Sequence, residues 1–115
     1  MSVDVLFVGI PVADFPTAVT WYERLWGRPA DIVVNDDEVM WRMTEGGWLY
    51  VVRDAGRAGK ALAAVAVPDL DAALAELEGR GMGGATTETV GEGAQKATFR
   101  DPEGNTVSFI EVVTQ

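Results

Sequence analysis

The segment VDVLFVGIPV, residues 3–12, alternates apolar with polar or small positions around Gly9, which is the period of a strand. Asp14 stands where a helix cap belongs. Over DFPTAVTWYERLWG the positions Val19, Tyr22 and Trp26 recur at helical spacing, with Phe15 and Leu25 beside the stripe. Gly27 predicts the end of that helix. ADIVV, VMWRM and WLYVV read as further strands, separated by the polar run Asn35-Asp36-Asp37-Glu38 and the turn Glu45-Gly46-Gly47. The order is β-α-β-β-β. The small, polar residues 54–60, DAGRAGK, read as a linker. The order then repeats. ALAAVAV is a strand, and Asp69 caps DLDAALAELEGRG, with Leu70, Ala73, Leu74 and Leu77 as its apolar stripe. GGATTETV, GAQKATFR and NTVSFIEVV are strands, the last two joined by the turn DPEG.

The repetition survives direct superposition. Placing Asp14 on Asp69 sets Val12 on Val67, Phe15 on Leu70, Ala18 on Ala73 and Glu23 on Glu78, and Gly47 falls against Gly104. One domain of two modules, about 1–55 and 60–115, is expected. Neither module is large enough to bury a core comfortably alone, so the two should pack together.

Composition then removes whole classes of chemistry. The chain of 115 residues has no cysteine and no histidine. A disulfide framework, a thiol nucleophile and the commonest general base are therefore absent. Any metal would have oxygen ligands only, which favours Mg or Ca over Zn. Nine Lys and Arg stand against 18 Asp and Glu, a formal charge of −9. That balance disfavours nucleic acid and steers cations rather than polyanions. The stretch MSVDVLFVGIPVADF has no basic segment and no long apolar run, so a cytoplasmic protein with no membrane partner is expected. There is no Gly-rich phosphate loop, no GxSxG and no HExxH.

Three pieces of sequence carry a resemblance. They are Val12-Ala13-Asp14 with Trp21-Tyr22 and Leu25-Trp26-Gly27, then Val67-Pro68-Asp69-Leu70-Asp71, then Asp101-Pro102-Glu103-Gly104-Asn105. In this order and spacing the chain resembles the vicinal oxygen chelate superfamily of glyoxalases, extradiol dioxygenases and bleomycin resistance proteins. The resemblance implies an α+β fold of two βαβββ modules, whose curved sheets form a half-barrel cup for a ligand. In many members the cup holds a divalent metal, ligated from the first and last strand of each module. Carried onto this chain, those positions are Phe7, Leu62, Ser108 and about Val51. Three of the four offer no donor, so no metal, no cofactor and no catalytic residue is expected. Glu111 lies an odd number of residues beyond Ser108, on the opposite strand face, and reads as a solvated strand end.

The same parity fills the cup. From Phe7 the inward positions include Gly9, and from Leu62 they include Ala64 and Ala66. A four-residue turn DPEG pairs Arg100 with Asn105, which brings Phe99 to the face of Ser108. A turn TEGG pairs Met43 with Trp48, which brings Met40, Arg42, Leu49 and Val51 inward and puts Trp41, Trp48 and Tyr50 under a helix. The expected ligand-binding set is Phe7, Met40, Arg42, Leu49, Val51, Leu62, Phe99 and Ser108, an apolar lining with a few polar groups. Trp21, Tyr22 and Trp26 are read as packing, and Asp36-Asp37-Glu38 as a solvated loop. The function expected is metal-free binding of a small, ring-containing molecule. Drug sequestration is one form of it, with an antibiotic-like partner and a homodimer as the resemblance implies. A metalloenzyme using donors from other loops, and an interaction domain with a filled cup, stay open beside it.

Overall fold

The computed structural model describes residues 1–112. Its elements are β1 (Leu6–Val12), α1 (Phe15–Trp26), β2 (Ile32–Asn35), β3 (Glu38–Thr44), β4 (Gly47–Arg53), β5 (Leu62–Ala66), α2 (Leu70–Gly79), β6 (Thr86–Val90), β7 (Ala94–Arg100) and β8 (Thr106–Val112). The doubled β-α-β-β-β order is therefore real. Val113, expected at the end of the last strand, lies outside the described residues.

The helix boundaries follow from capping chemistry. Asp14 accepts hydrogen bonds from the Thr17 amide and hydroxyl, at 3.3 and 2.8 Å, and Pro16 sits in the first turn where its missing N–H costs nothing. Gly27 ends α1 in the left-handed region at φ 77°, and its amide returns to the Glu23 carbonyl. Asp69 caps α2 through the Ala72 amide at 3.0 Å. The buried face of α1 is Phe15, Ala18, Tyr22 and Leu25, a helical stripe.

Each module folds into its own mixed sheet, ordered β1-β4-β3-β2 and β5-β8-β7-β6. The first strand of each module runs parallel to the last, and the remaining pairs are antiparallel. No strand pairs across the two sheets among the described residues. Their helix-side faces instead share one core, in which Ile10, Val12, Trp41, Leu49 and Val51 of the first module join Ala97, Phe99, Val107 and Phe109 of the second. Trp26 of α1 reaches the second sheet, its ring 5.9 Å from that of Phe109.

The polar contribution to this union comes from the loop after β7 and from Arg80 at the end of α2. The Asp101 carboxylate accepts four hydrogen bonds: from the Glu103 amide at 2.9 Å, the Asn105 amide at 3.0 Å, Asn105 Nδ2 at 2.8 Å and the Tyr22 hydroxyl at 2.9 Å. Asn105, wholly buried, donates to the Pro11 carbonyl at 2.9 Å and accepts from the Ala61 amide at 2.9 Å. Glu103 takes the Ala13 and Asp14 amides at 2.6 and 2.8 Å, just ahead of α1. At the other end of α1, the Arg80 guanidinium donates to the Arg24 and Leu25 carbonyls.

Two predictions follow from this joint. Asn105→Ala leaves the Pro11 carbonyl and the Ala61 amide buried without partners, at about 1–3 kcal/mol each. Urea unfolding should show a loss of about 3–5 kcal/mol, a large part of a typical domain's stability. Burial and the neighbouring Asp101 carboxylate push the Tyr22 phenol far above its ordinary value of 10.0. A folded-state pKa raised in this way gives stability that is complete below the unfolded value and lost as pH climbs above it. Unfolding measured from pH 8 to 11 should therefore show stability falling above about pH 10. The Tyr22→Phe variant should start lower by about 1–3 kcal/mol and lack that part of the decline.

Candidate binding faces

With the helices covering one face of each sheet, the other face is open. Which residues lie on it is fixed by strand register. β1 pairs with β4 so that Phe7 faces Trp48 and Gly9 faces Tyr50, and β3 pairs with β4 so that Met40 faces Tyr50 and Arg42 faces Trp48. The open face of the first sheet thus presents Phe7, Gly9, Met40, Arg42, Trp48 and Tyr50. In the second sheet Leu62 pairs with Thr106, Ala64 with Ser108, and Thr98 with Ser108. Leu62, Ala64, Thr106, Ser108 and Ile110 form its open face, with Lys96, Thr98 and Arg100 of β7 beside them.

Of the eight expected binding residues, Phe7, Met40, Arg42 and Leu62 lie on these open faces, and Ser108 is on the same side but buried, 5% exposed. Phe7 is 53% and Leu62 86% exposed, so neither is used as core. Leu49, Val51 and Phe99 are corrections. All three are buried on the helix side. The cause is a one-residue error in each hairpin, which turns every side chain of a strand to the other face. In the first hairpin Thr44 pairs with Gly47 across a tight turn, and the ladder is irregular between Arg42 and Thr44, so Met43 is an extra residue. Trp48 therefore stands opposite Arg42, not Met43. In the second hairpin the Asp101 amide bonds the Asn105 carbonyl at 2.8 Å, and the loop is five residues long. Arg100 therefore pairs with Thr106. Trp41 does pack under a helix as expected, whereas Trp48 and Tyr50 move to the open face.

The same register corrects the fourth metal-ligand position. Tyr50 lies two residues past the partner of Phe7, and Ser108 two residues past the partner of Leu62. The counterpart of Ser108 is thus Tyr50, not Val51. The four positions hold two hydrocarbons, a phenol and a hydroxyl. The Ser108 hydroxyl is already bonded to Thr98 Oγ1 at 2.9 Å. Among the described residues no group of three or more His, Cys, Asp or Glu converges. This donor set does not fit a divalent cation, which needs several charged or strongly dipolar oxygens at short range.

Tyr50 lies over Gly9, where an added Cβ would sit 2.5 Å from the ring carbon Cζ. The absence of a side chain at position 9 lets the ring settle against the strand. A hollow of about 390 Å³ is lined there by Gly9, Pro11, Tyr50 and Val52, with linker residues Asp54, Arg57, Lys60 and Ala61 at its border. Arg42 is exposed, and its guanidinium touches only the Glu45 carbonyl, at 3.0 Å. Its own amide donates to Asp31, whose carboxyl is held below the usual range by Arg28 and by that amide.

Other candidate residues have structural roles. Glu111 is not a solvated end: it lies on the helix side and accepts the Leu70 amide at 2.6 Å, capping α2. Asp36 and Asp37 form a tight turn in which Asn35 Oδ1 accepts the Asp37 amide, and Asp37 pairs with Arg53 at 2.8 Å. Tyr22 and Trp26 pack as expected. Trp21 meets Tyr22 edge-on at 4.8 Å between ring centres, with part of its ring left exposed.

Two paired βαβββ modules with one face of each sheet left open define the class of glyoxalase-like and resistance-type folds. The chain belongs to the Glyoxalase/Bleomycin resistance protein/Dioxygenase superfamily, whose model matches residues 5–109. It is similar to a glyoxalase / bleomycin resistance protein from Catenulispora acidiphila at 38% identity and a TM-score of 0.89, covering 97% of this chain and 100% of that one. It shares its fold with a bleomycin resistance determinant encoded on the transposon Tn5, at 19% identity and a TM-score of 0.77, covering 96% of this chain and 99% of the other. It also shares it with TnmS3, an antibiotic binding protein from Streptomyces, at 20% identity and a TM-score of 0.70, covering 98% and 97%. A comparison with curated proteins finds no match. No helix among the described residues is long and apolar enough to cross a membrane.

The donor chemistry predicts the response to metals. A cation at 100 times its Kd would stabilise the fold by about 2.7 kcal/mol. Thermal unfolding with Mg, Mn, Ni or Zn added, or with chelator, should instead give superimposable curves. A rise in Tm with one metal, reversed by chelator, would contradict this account of the four positions.

Proposed function

We propose that this protein binds a small, ring-containing molecule without a metal, on the open sheet faces. The observation that carries this reading is the identity of the four positions, Phe7, Tyr50, Leu62 and Ser108. Where the resemblance would have ion-holding groups, the chain offers rings, an aliphatic side chain and a neutral hydroxyl. Phe7, Trp48 and Tyr50 supply rigid contact area, and a stacked aromatic pair adds about 0.5–1.5 kcal/mol beyond area burial. Arg42 at the border of this surface suits a carbonyl, carboxylate or ring face. Sequestering an antibiotic-like compound is the biological form this takes. The fold likenesses to a bleomycin resistance determinant and an antibiotic binding protein support it.

A homodimer completes the site in this reading. Each chain leaves Phe7 and Leu62 exposed on separate sheets, together with Ile32 and Val34 near the β2 edge. Bringing the first sheet of one chain against the second sheet of another would cover these apolar groups and enclose a cup between them.

Two measurements test this. Sedimentation should give twice the chain mass, and Leu62→Asp should shift it toward the single-chain mass. A thermal-shift panel of neutral polycyclic and glycopeptide compounds should yield saturable binders in the presence of chelator. Tyr50→Ala should weaken such binding about tenfold or more, as loss of a buried aromatic anchor does. Binders unaffected by Tyr50→Ala and by Phe7→Ala would place the site elsewhere and overturn the reading.

A further inference from the structure

The distribution of positive charge singles out a second place. In this acidic chain Arg28, Arg53, Arg57 and Arg80 are engaged in ion pairs. Among the described residues the other five make none, and three of these, Arg24, Lys96 and Arg100, line one pocket of about 660 Å³. The pocket lies where β6 stops. Thr86 is the first residue of β6 and pairs with Thr98, so Phe99 and Arg100 have no neighbour on that side of β7. The gap is bordered by Trp21 and Arg24 of α1 and by the loop Gly81–Gly84. Glu88 is the only carboxylate among the lining residues. A net positive pocket on a protein of charge −9 runs against the field of the whole molecule. Three cations stand against one carboxylate, Glu88, which lies opposite Lys96 on the β6–β7 ladder, and an anion entering the pocket offsets the excess.

We infer that this pocket binds a small aromatic anion, with a sulfonate, carboxylate or phosphate held by Arg24, Lys96 and Arg100 and the ring set against Trp21. The guanidinium and ammonium donors match oxyanion acceptors. The exposed part of the Trp21 indole offers the ring an apolar surface, since its other side is packed on Tyr22. The Thr86 and Thr98 hydroxyls add neutral donors at the floor. This site lies apart from Phe7, Trp48 and Tyr50 of the first sheet and does not depend on the proposed function. It adjoins the second sheet's open face, because Lys96, Thr98 and Arg100 stand opposite Ile110, Ser108 and Thr106.

The probe is naphthalene-2-sulfonate, with uncharged naphthalene-2-sulfonamide as its control. Calorimetric titration of the whole protein should show saturable binding of the sulfonate, weakened as salt rises, and much weaker binding of the sulfonamide. The combined Arg24→Gln, Lys96→Gln, Arg100→Gln variant should lose about tenfold or more in affinity, summing three partly exposed charge contacts. Glu88→Gln should tighten binding. The Tyr50→Ala variant, which removes an aromatic contact of the proposed function, should leave the sulfonate unaffected, so that the two readings fail separately. Because the three cations are surface groups without ion pairs, the fold should survive, and amide NMR spectra of each variant check this. In the same spectra the sulfonate should move the Trp21 indole and the Gly83, Gly84 and Thr98 amides. No saturable binding, unchanged affinity in the triple variant, or perturbations centred on Phe7 and Trp48 with loss on Arg42→Gln would each overturn the inference.

Discussion

The Asp101 carboxylate, saturated by four donors, is the contact on which the arrangement of the two modules depends. Neither sheet pairs with the other, so nothing in the backbone ladders sets their relation. Apolar burial pulls the helix-side faces together but is not directional. Direction comes chiefly from the loop Asp101–Asn105, which reaches from the second module to Tyr22 on α1, to the Pro11 carbonyl at the end of β1 and to the amides ahead of α1, with Arg80 holding the far end of α1. The loop makes its own shape through Asp101 and then spends its remaining polar groups on the other module. A buried polar network of this kind is favourable only while every member has a partner.

That joint has a functional consequence. By fixing the modules through their helix sides, it leaves the opposite sheet faces free. The face that would carry metal ligands in catalytic relatives carries Phe7, Tyr50, Leu62 and Ser108. Binding energy on such a surface comes from area and aromatic contact, which tolerates varied ring systems more readily than a fixed coordination sphere does. The charged pocket beside α1 obeys the opposite logic, with oxyanion geometry and field deciding what enters. A protein with both would discriminate ligands by charge at one site and by aromatic contact at the other.

Much of the fold was legible in the sequence because its signals are local. Asp14, Gly27 and Asp69 mark helix ends by their own hydrogen bonds or backbone freedom, and the β1 alternation separates Ile10 and Val12 from Phe7 without reference to any partner. The faces of β4 and β7 were less legible. They depend on hairpin geometry, where one additional residue at Met43 and one more in the loop through Asn105 reversed Leu49, Val51 and Phe99. Trp48 and Tyr50 were assigned to the core by the same register, because a turn pairing Met43 with Trp48 sends them under the helix. The roles of Glu103 and Glu111 were hidden for a different reason. Each closes a helix start distant in sequence, and only the folded chain brings the carboxylate there. A glutamate within the turn DPEG, beside a buried Asp and Asn, was the one available hint.

All four tryptophans, at 21, 26, 41 and 48, lie in the first module, and only Trp26, packed on Phe109, stacks on a ring of the second, so fluorescence weights the first module. Native-state hydrogen exchange sees both and is the most direct test of the joint. If the Asp101 network unites the modules, the buried amides of β4 and β8 should open with the same free energy. Tyr22→Phe, which removes one donor to Asp101, should lower both equally. Distinct opening energies for the two strands, or a loss confined to β4 in that variant, would contradict the account.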